Sequence, residues 1–359
     1  MKKRTPKRSV VQTSLLVIMG FSLLLAGCSP KQAPLPTELI LYSWVDYMPQ
    51  SVMDAFTEEY GITFEYIAYE TEEEVVEDIQ AGNVYDLVLT NPEFIPQMDE
   101  DDLLKPLDYR NIPNFKHVSA NFRDLVFDPG NVYSIPFHWG TTGLLVRTDL
   151  VDRPITSWND LWDPALAGKA GIWAIPRSLI PIALKAQGYS ANSEDLAELE
   201  MTRQYLSQLK ANAVILSGLE TSIVPMLESG ELTIGYGWAY DAILAQESNL
   251  PIEYIIPEEG TILWVDSFII PANAQNPHAA ELFLNFILQP EIAAQIVNES
   301  YYPMAVDGME PYVLPEILQN LVIFPDNAQL RNAEITLPIR PDRRWIYDEI
   351  WADFMEGNQ

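Results

Sequence analysis

Apolar positions recur along this chain with two periods, near two and near 3.6 residues, and the switches between them mark out its elements. Leu39 to Trp44 reads as a strand, Gln50 to Tyr60 as a helix ended by Gly61, and Ile62 to Ala68 as a second strand. Glu72 to Ala81 has helical spacing up to Gly82, and Tyr85 to Leu89 is a third strand. Further on, Tyr133 to Pro136, Gly143 to Arg147, Ala170 to Ala174 and Leu232 to Tyr236 read as strands, with helices over Leu179 to Gln187 and Asp195 to Lys210. Trp264 to Ile270 is again a buried strand. Helices follow over Pro277 to Leu288, Pro290 to Ser300 and, rich in aromatics, Arg343 to Phe354. Strands alternating with helices at this spacing predict an α/β fold with mostly parallel sheets. A folded part of about 330 residues is ample for a core split between two lobes.

The first residues break this grammar. Lys2, Lys3, Arg4, Lys7 and Arg8 precede an apolar run from Leu15 to Leu25, and Leu25-Ala26-Gly27-Cys28 follows at once. Basic start, short apolar run and small residues together predict an export signal over residues 1–27. Residues 28–37, with Pro30, Pro34 and Pro36, suit an extended tether. Cys28 is the single cysteine, so no disulfide forms within the chain and no cluster of thiolates can hold zinc or iron–sulfur. The formal net charge is −30, and more negative still without the five basic residues of the leader. Such a surface repels nucleic acid and draws small cations.

No phosphate-binding glycine loop, dinucleotide fingerprint, HExxH or GxSxG is present, and His117, His138 and His278 lie far apart. No cofactor and no metal centre are expected. Paired acids such as Asp46 and Asp266, as general acid and base of an exported hydrolase, remain an alternative.

Within ILWVDSFIIP, residues 262–271, the strand period puts Trp264 and Asp266 on one face. A ring beside a carboxylate suits an alkylammonium, held by cation–π attraction and a charge-assisted hydrogen bond. The other reading is a core tryptophan and an aspartate bonded to backbone N–H groups. Three more element ends carry aromatics: Tyr42-Ser43-Trp44-Val45-Asp46-Tyr47, Gly235-Tyr236-Gly237-Trp238-Ala239-Tyr240-Asp241 and Tyr301-Tyr302-Pro303. Open α/β folds place ligands beyond the carboxyl ends of strands, so this pattern predicts a cleft.

The segments LYSWVDYMP, YDLVLTNPEF, YSIPFHWGTTGLLVRTD, SWNDLWDP, LKAQGYS, IGYGWAYDA, GTILWVDSFIIPANA, FILQPEIAAQIV and SYYP resemble the bacterial spermidine/putrescine-binding proteins of polyamine ABC importers. The likeness runs from Leu39 to the last helix. It implies a two-lobed periplasmic-binding-protein fold of class II type, with 38–143 plus 265–310 in one lobe and 144–264 plus 311–359 in the other, and with crossings between the lobes expected in Pro136 to Arg147 and Trp264 to Phe268. It also implies a monomeric receptor, not an enzyme, exported and lipid-anchored through Cys28 on the periplasmic or extracellular side, which hands its ligand to membrane permease subunits. By position, Trp44, Tyr47, Trp238, Trp264, Asp266 and Tyr302 match the residues that hold the polyamine.

Two places depart from the family. Its Asp-Asp-x-x-Glu is replaced by Ala174-Ile175-Pro176-Arg177-Ser178, and its Ser-Thr-Tyr by Asn91-Pro92-Glu93. Glu93 is expected to restore one acid, which keeps a putrescine or spermidine-class amine as ligand, with Asn91 and Ser178 also lining the site. The alternative is an ω-amino acid such as γ-aminobutyrate, its carboxylate held by Arg177, Arg147 or Arg343.

Overall fold

The computed structural model describes Met1 and residues 35–216, 222–246 and 248–356. The leader, Cys28 and nearly all of the tether lie outside the described residues.

The chain opens with β1 (Glu38–Trp44), α1 (Gln50–Tyr60), β2 (Thr63–Tyr69), α2 (Glu72–Gln80), β3 (Leu87–Thr90) and α3 (Ile95–Glu100). Gly61 ends α1 in the left-handed region at φ 70°. Thr71 caps α2 by accepting from the Glu74 N–H, and three glutamates in its first turn complement the helix dipole. After a long connection comes β4 (Ser134–Arg147), then β5 (Ala170–Trp173), α4 (Pro176–Ala186), α5 (Leu196–Asn212) and β6 (Ala213–Leu216). Next are α6 (Val224–Glu228), β7 (Ile234–Trp238), α7 (Ala239–Gln246), β8 (Ile252–Ile255) and β9 (Ile262–Ile269). The chain finishes with α8 (Pro277–Ile287), α9 (Pro290–Ser300), α10 (Pro315–Leu318), β10 (Glu334–Ile335) and α11 (Arg344–Glu356).

All the strands join one sheet, in the order β2-β1-β3-β9-β4-β7-β5-β6, with β10 on β9 and β8 on β4. β1 runs parallel to β2 and β3, and β5 parallel to β6 and β7. β9 and β4 are antiparallel to each other and to the wing each adjoins. The result is two parallel wings welded by an antiparallel centre. Where the sequence predicts two strands, β4 is one strand of 14 residues. The polar and glycine-containing stretch His138-Trp139-Gly140-Thr141 breaks the period without breaking the ladder, because β9 pairs with it on both sides of a register shift between Pro136 and Trp139. α4 starts three residues earlier than its apolar pattern, since Pro176 fits the first helical turn, where its missing N–H costs nothing.

Each wing has its own apolar core. One gathers Leu39, Phe56, Ile135, Phe137, Phe268 and Phe283; the other gathers Leu144, Trp158, Ile180, Tyr236, Ile262 and Phe354. β4 and β9 each feed both cores, so these two strands are the crossings of a two-lobed α/β fold. Val313, Ile317 and Ile323 pack in the first core, while α11 packs in the second. Among the described residues, no helix is long and apolar enough to cross a membrane.

Candidate functional site

The carboxyl ends of β1, β3, β5 and β7 converge on the crossing, and β9 brings Asp266 there. Opposite Asp266 the β4 register slips, so that Phe137 and His138 both face this part of β9. Asp266 is 7% exposed. The Tyr47 hydroxyl donates to its Oδ2 at 2.6 Å, and no lysine or arginine among the described residues pairs with it. Burial pushes the Asp266 carboxyl up to about 7, against the hydrogen bond from Tyr47, which favours the charged form. Tyr47 reaches it because Asp46 adopts a left-handed conformation, φ 56°, that turns the chain after β1. Asp46 itself is exposed on that turn. The Asp46–Asp266 acid pair considered from the sequence is therefore replaced by a Tyr47–Asp266 hydrogen bond.

Around this carboxyl stands a box of rings. Tyr302 follows the left-handed Tyr301 that ends α9, and its ring centroid lies 5.0 Å from Tyr47, 5.4 Å from His138, 5.5 Å from Tyr240 and 5.7 Å from Trp264. Trp264 lies against Gly140, where a Cβ would meet the ring's Cζ2 at 2.2 Å; only a residue without one allows this approach. The Trp264 indole N–H is buried and has no hydrogen-bond partner among the described residues. Trp238 ends β7, 6.0 Å from Trp173, and its backbone N–H donates to buried Asp241 at 3.0 Å. Trp44, ending β1, lies 4.5 Å from Tyr69. His138 is fully buried; its Nδ1 donates to the Pro303 carbonyl at 3.3 Å, and burial holds it down at about 3, so it stays neutral.

The other acids divide unexpectedly. Glu72, at the start of α2, is half-buried, and its Oε2 accepts from Thr90 Oγ1 at 3.1 Å and from the Asn91 N–H at 3.0 Å. Burial and then the charge of Asp266 push its carboxyl up to about 8; Glu93 adds to this, and the two hydrogen bonds oppose it. Sequence reasoning missed Glu72 because it sits in a run of glutamates at a helix start, where helix capping and dipole already account for it. Glu93, by contrast, is not free: its carboxylate pairs with Arg177 Nε from the other lobe. Arg177 Nη2 also donates to the Leu337 carbonyl at 2.5 Å, and the guanidinium lies 5.6 Å over the Tyr347 ring. Asn91 works locally, its Oδ1 accepting from the Glu93 N–H at 3.2 Å and its own N–H bonding Glu72. Ser178 lies half-buried in the first turn of α4, and Ile175 packs against the second core. The remaining arginines are engaged as well: Arg147 with Asp149 at 2.9 Å and the Leu227 carbonyl at 2.6 Å, Arg343 with Asp342 at 2.8 Å.

The arrangement offers hydrogen-bond acceptors, aromatic walls and negative charge to a small cation. Residues 51–314 match the family model described as bacterial extracellular solute-binding protein. A spermidine/putrescine-binding periplasmic protein of Escherichia coli (strain K12) is 31% identical over 320 residues, covering 88% of this chain and 91% of that one. The putrescine-binding periplasmic protein SpuD of Pseudomonas aeruginosa is 26% identical over 313 residues, covering 82% and 85%. The crystal structure of the spermidine/putrescine ABC transporter substrate-binding protein PotD from Streptococcus pneumoniae matches with a TM-score of 0.80 at 28% identity, over 89% of this chain and 99% of that one. With most of its length matched in both sequence and fold, this chain belongs to the bacterial extracellular solute-binding proteins, and is a binding protein of transport, not an enzyme.

Proposed function

We propose that the protein captures a small aliphatic amine of the putrescine/spermidine class between its lobes and delivers it to an ABC permease, tethered to the membrane by a lipid on Cys28. The observation that carries the ligand is Asp266: a buried carboxyl in a box of rings, with a tyrosine hydroxyl for company and no cation from the described chain. An unpaired buried carboxylate costs several kcal/mol or stays protonated, and an incoming ammonium removes that cost. Trp264, Tyr302, Trp238 and Trp44 cover the methylene chain and exclude water, and Tyr47 fixes the carboxylate. Glu72 supplies a second carboxylate on the same lobe, for the other ammonium of a short diamine.

An ω-amino acid is the second reading, and it has less support. Its carboxylate needs a cation, and Arg147, Arg177 and Arg343 are each already paired with an acid.

The test is calorimetric titration of protein freed of carried-over ligand by one unfolding and refolding cycle, with putrescine, spermidine and γ-aminobutyrate. Putrescine is expected to bind. Asp266→Asn, with an unchanged far-ultraviolet circular dichroism spectrum, is expected to lose about 3 kcal/mol, roughly a hundredfold in affinity. Undiminished amine binding by that variant, or preferential binding of γ-aminobutyrate, would overturn the proposal.

A further inference from the structure

A charge pair that belongs wholly to the protein spans the two lobes. Glu93 follows β3 in the first lobe, and Arg177 opens α4 in the second. Their side chains are only 12% and 20% exposed, so water and salt screen the pair far less than a surface bridge. Both members are held from behind. The Glu93 backbone is fixed by Asn91 Oδ1, and the Arg177 guanidinium by the Leu337 carbonyl and the Tyr347 ring. Asn91 links Glu93 to Glu72, its N–H donating to Glu72 Oε2 at 3.0 Å and its Oδ1 accepting from the Glu93 N–H at 3.2 Å, so the pair stands beside Glu72. Among the described residues, Arg177 is the one cation paired with any of the Asp266, Glu72 and Glu93 carboxylates.

We infer that Arg177 determines the length of ligand the cleft accepts, its guanidinium neutralising the Glu93 carboxylate that a further ammonium of a longer polyamine would need. The inference rests on the amine-receptor reading. A diamine satisfies Asp266 and Glu72 and leaves the Glu93–Arg177 bridge intact, and the bridge then ties the two closed lobes together. A triamine brings a third charge to an end of the cleft where the acid is taken and a guanidinium stands, and it pays both the missing partner and the repulsion.

Calorimetry with putrescine and spermidine on wild type, Arg177→Met, Glu93→Gln and the double variant tests this, with thermal melts to verify folding. Wild type is expected to prefer putrescine. Arg177→Met frees the Glu93 carboxylate and is expected to raise spermidine affinity relative to putrescine by about tenfold or more. Glu93→Gln leaves the guanidinium unpaired and is expected to move the ratio the other way, which provides a readout should Arg177→Met fold poorly. The double variant is expected to lose the spermidine gain. A ratio unmoved by either single variant in a protein that binds putrescine, or a wild type that prefers spermidine, overturns this inference alone. A wild type that binds neither amine overturns the receptor reading and this inference with it.

Discussion

At the scale of single residues, the cleft is a titration device. The Asp266 and Glu72 carboxyls are pushed up to about 7 and about 8 from ordinary values of 3.8 and 4.5, chiefly by burial, with Tyr47, Tyr69, Tyr302, neutral His138 and the Glu93–Arg177 pair as their polar surroundings. For an acid raised on folding, the folded state binds more protons than the unfolded state between the two values. The stability it contributes is therefore complete below pH 4 and is lost as pH rises through about 7 to 8. Differential scanning calorimetry of ligand-free protein is expected to show Tm falling across that window, and Asp266→Asn to flatten the fall. Ammonium ligands require the ionised acids, so amine affinity is expected to weaken as pH drops through the same window. Binding at neutral pH is then expected to release protons, measurable by titration in buffers of different ionisation enthalpy. Asp266, Trp264, Tyr47 and Tyr302 were legible in the sequence because strand alternation and element ends expose them as a set. The Glu93–Arg177 bridge was not: its partners are 84 residues apart, and only the packing of two lobes brings them together.

At the scale of elements, β4 and β9 do the positioning. The sequence reading found both strands but split β4 at its polar middle, since periodicity reports burial and not the ladder of backbone hydrogen bonds that keeps the strand continuous. That same middle holds Gly140, whose bare backbone seats the Trp264 ring. Gly140→Ala is expected to push the ring out of place and to weaken putrescine binding by about tenfold while leaving most of the core untouched. Calorimetry, with tryptophan fluorescence to follow the ring's surroundings, checks this. The helices named from the sequence lie within a few residues of those observed, but the short α3, α6 and α10 were not read, since one turn or so carries too little apolar period to stand out. Nor were the short strands β6, β8 and β10, because their pairing is decided by the strands beside them.

At the scale of the whole molecule, the formal charge of −30 surrounds a cleft lined with acids. A dication approaching it is steered, and the steering is screened by salt. Stopped-flow association of putrescine is expected to slow markedly between about 0.01 M and about 0.15 M ionic strength, while a net-neutral ω-amino acid shows little change. The α/β class was legible from the alternation of strands and helices and the two lobes from chain length and family likeness, but the path of the chain between the cores was less so, because helices such as α10 carry too few apolar positions to name their partner. That path decides when folding can finish. The first core joins Leu39 to Ile323, and the second waits for Ile346, Ile350 and Phe354 in α11. A ribosome-bound or partly translocated chain thus lacks the last piece of the first core until Ile323 has emerged, and that of the second until α11 has. Cooperative folding of the second lobe is postponed until α11 is available, which suits a protein of an extracytoplasmic family whose members cross a membrane as a thread.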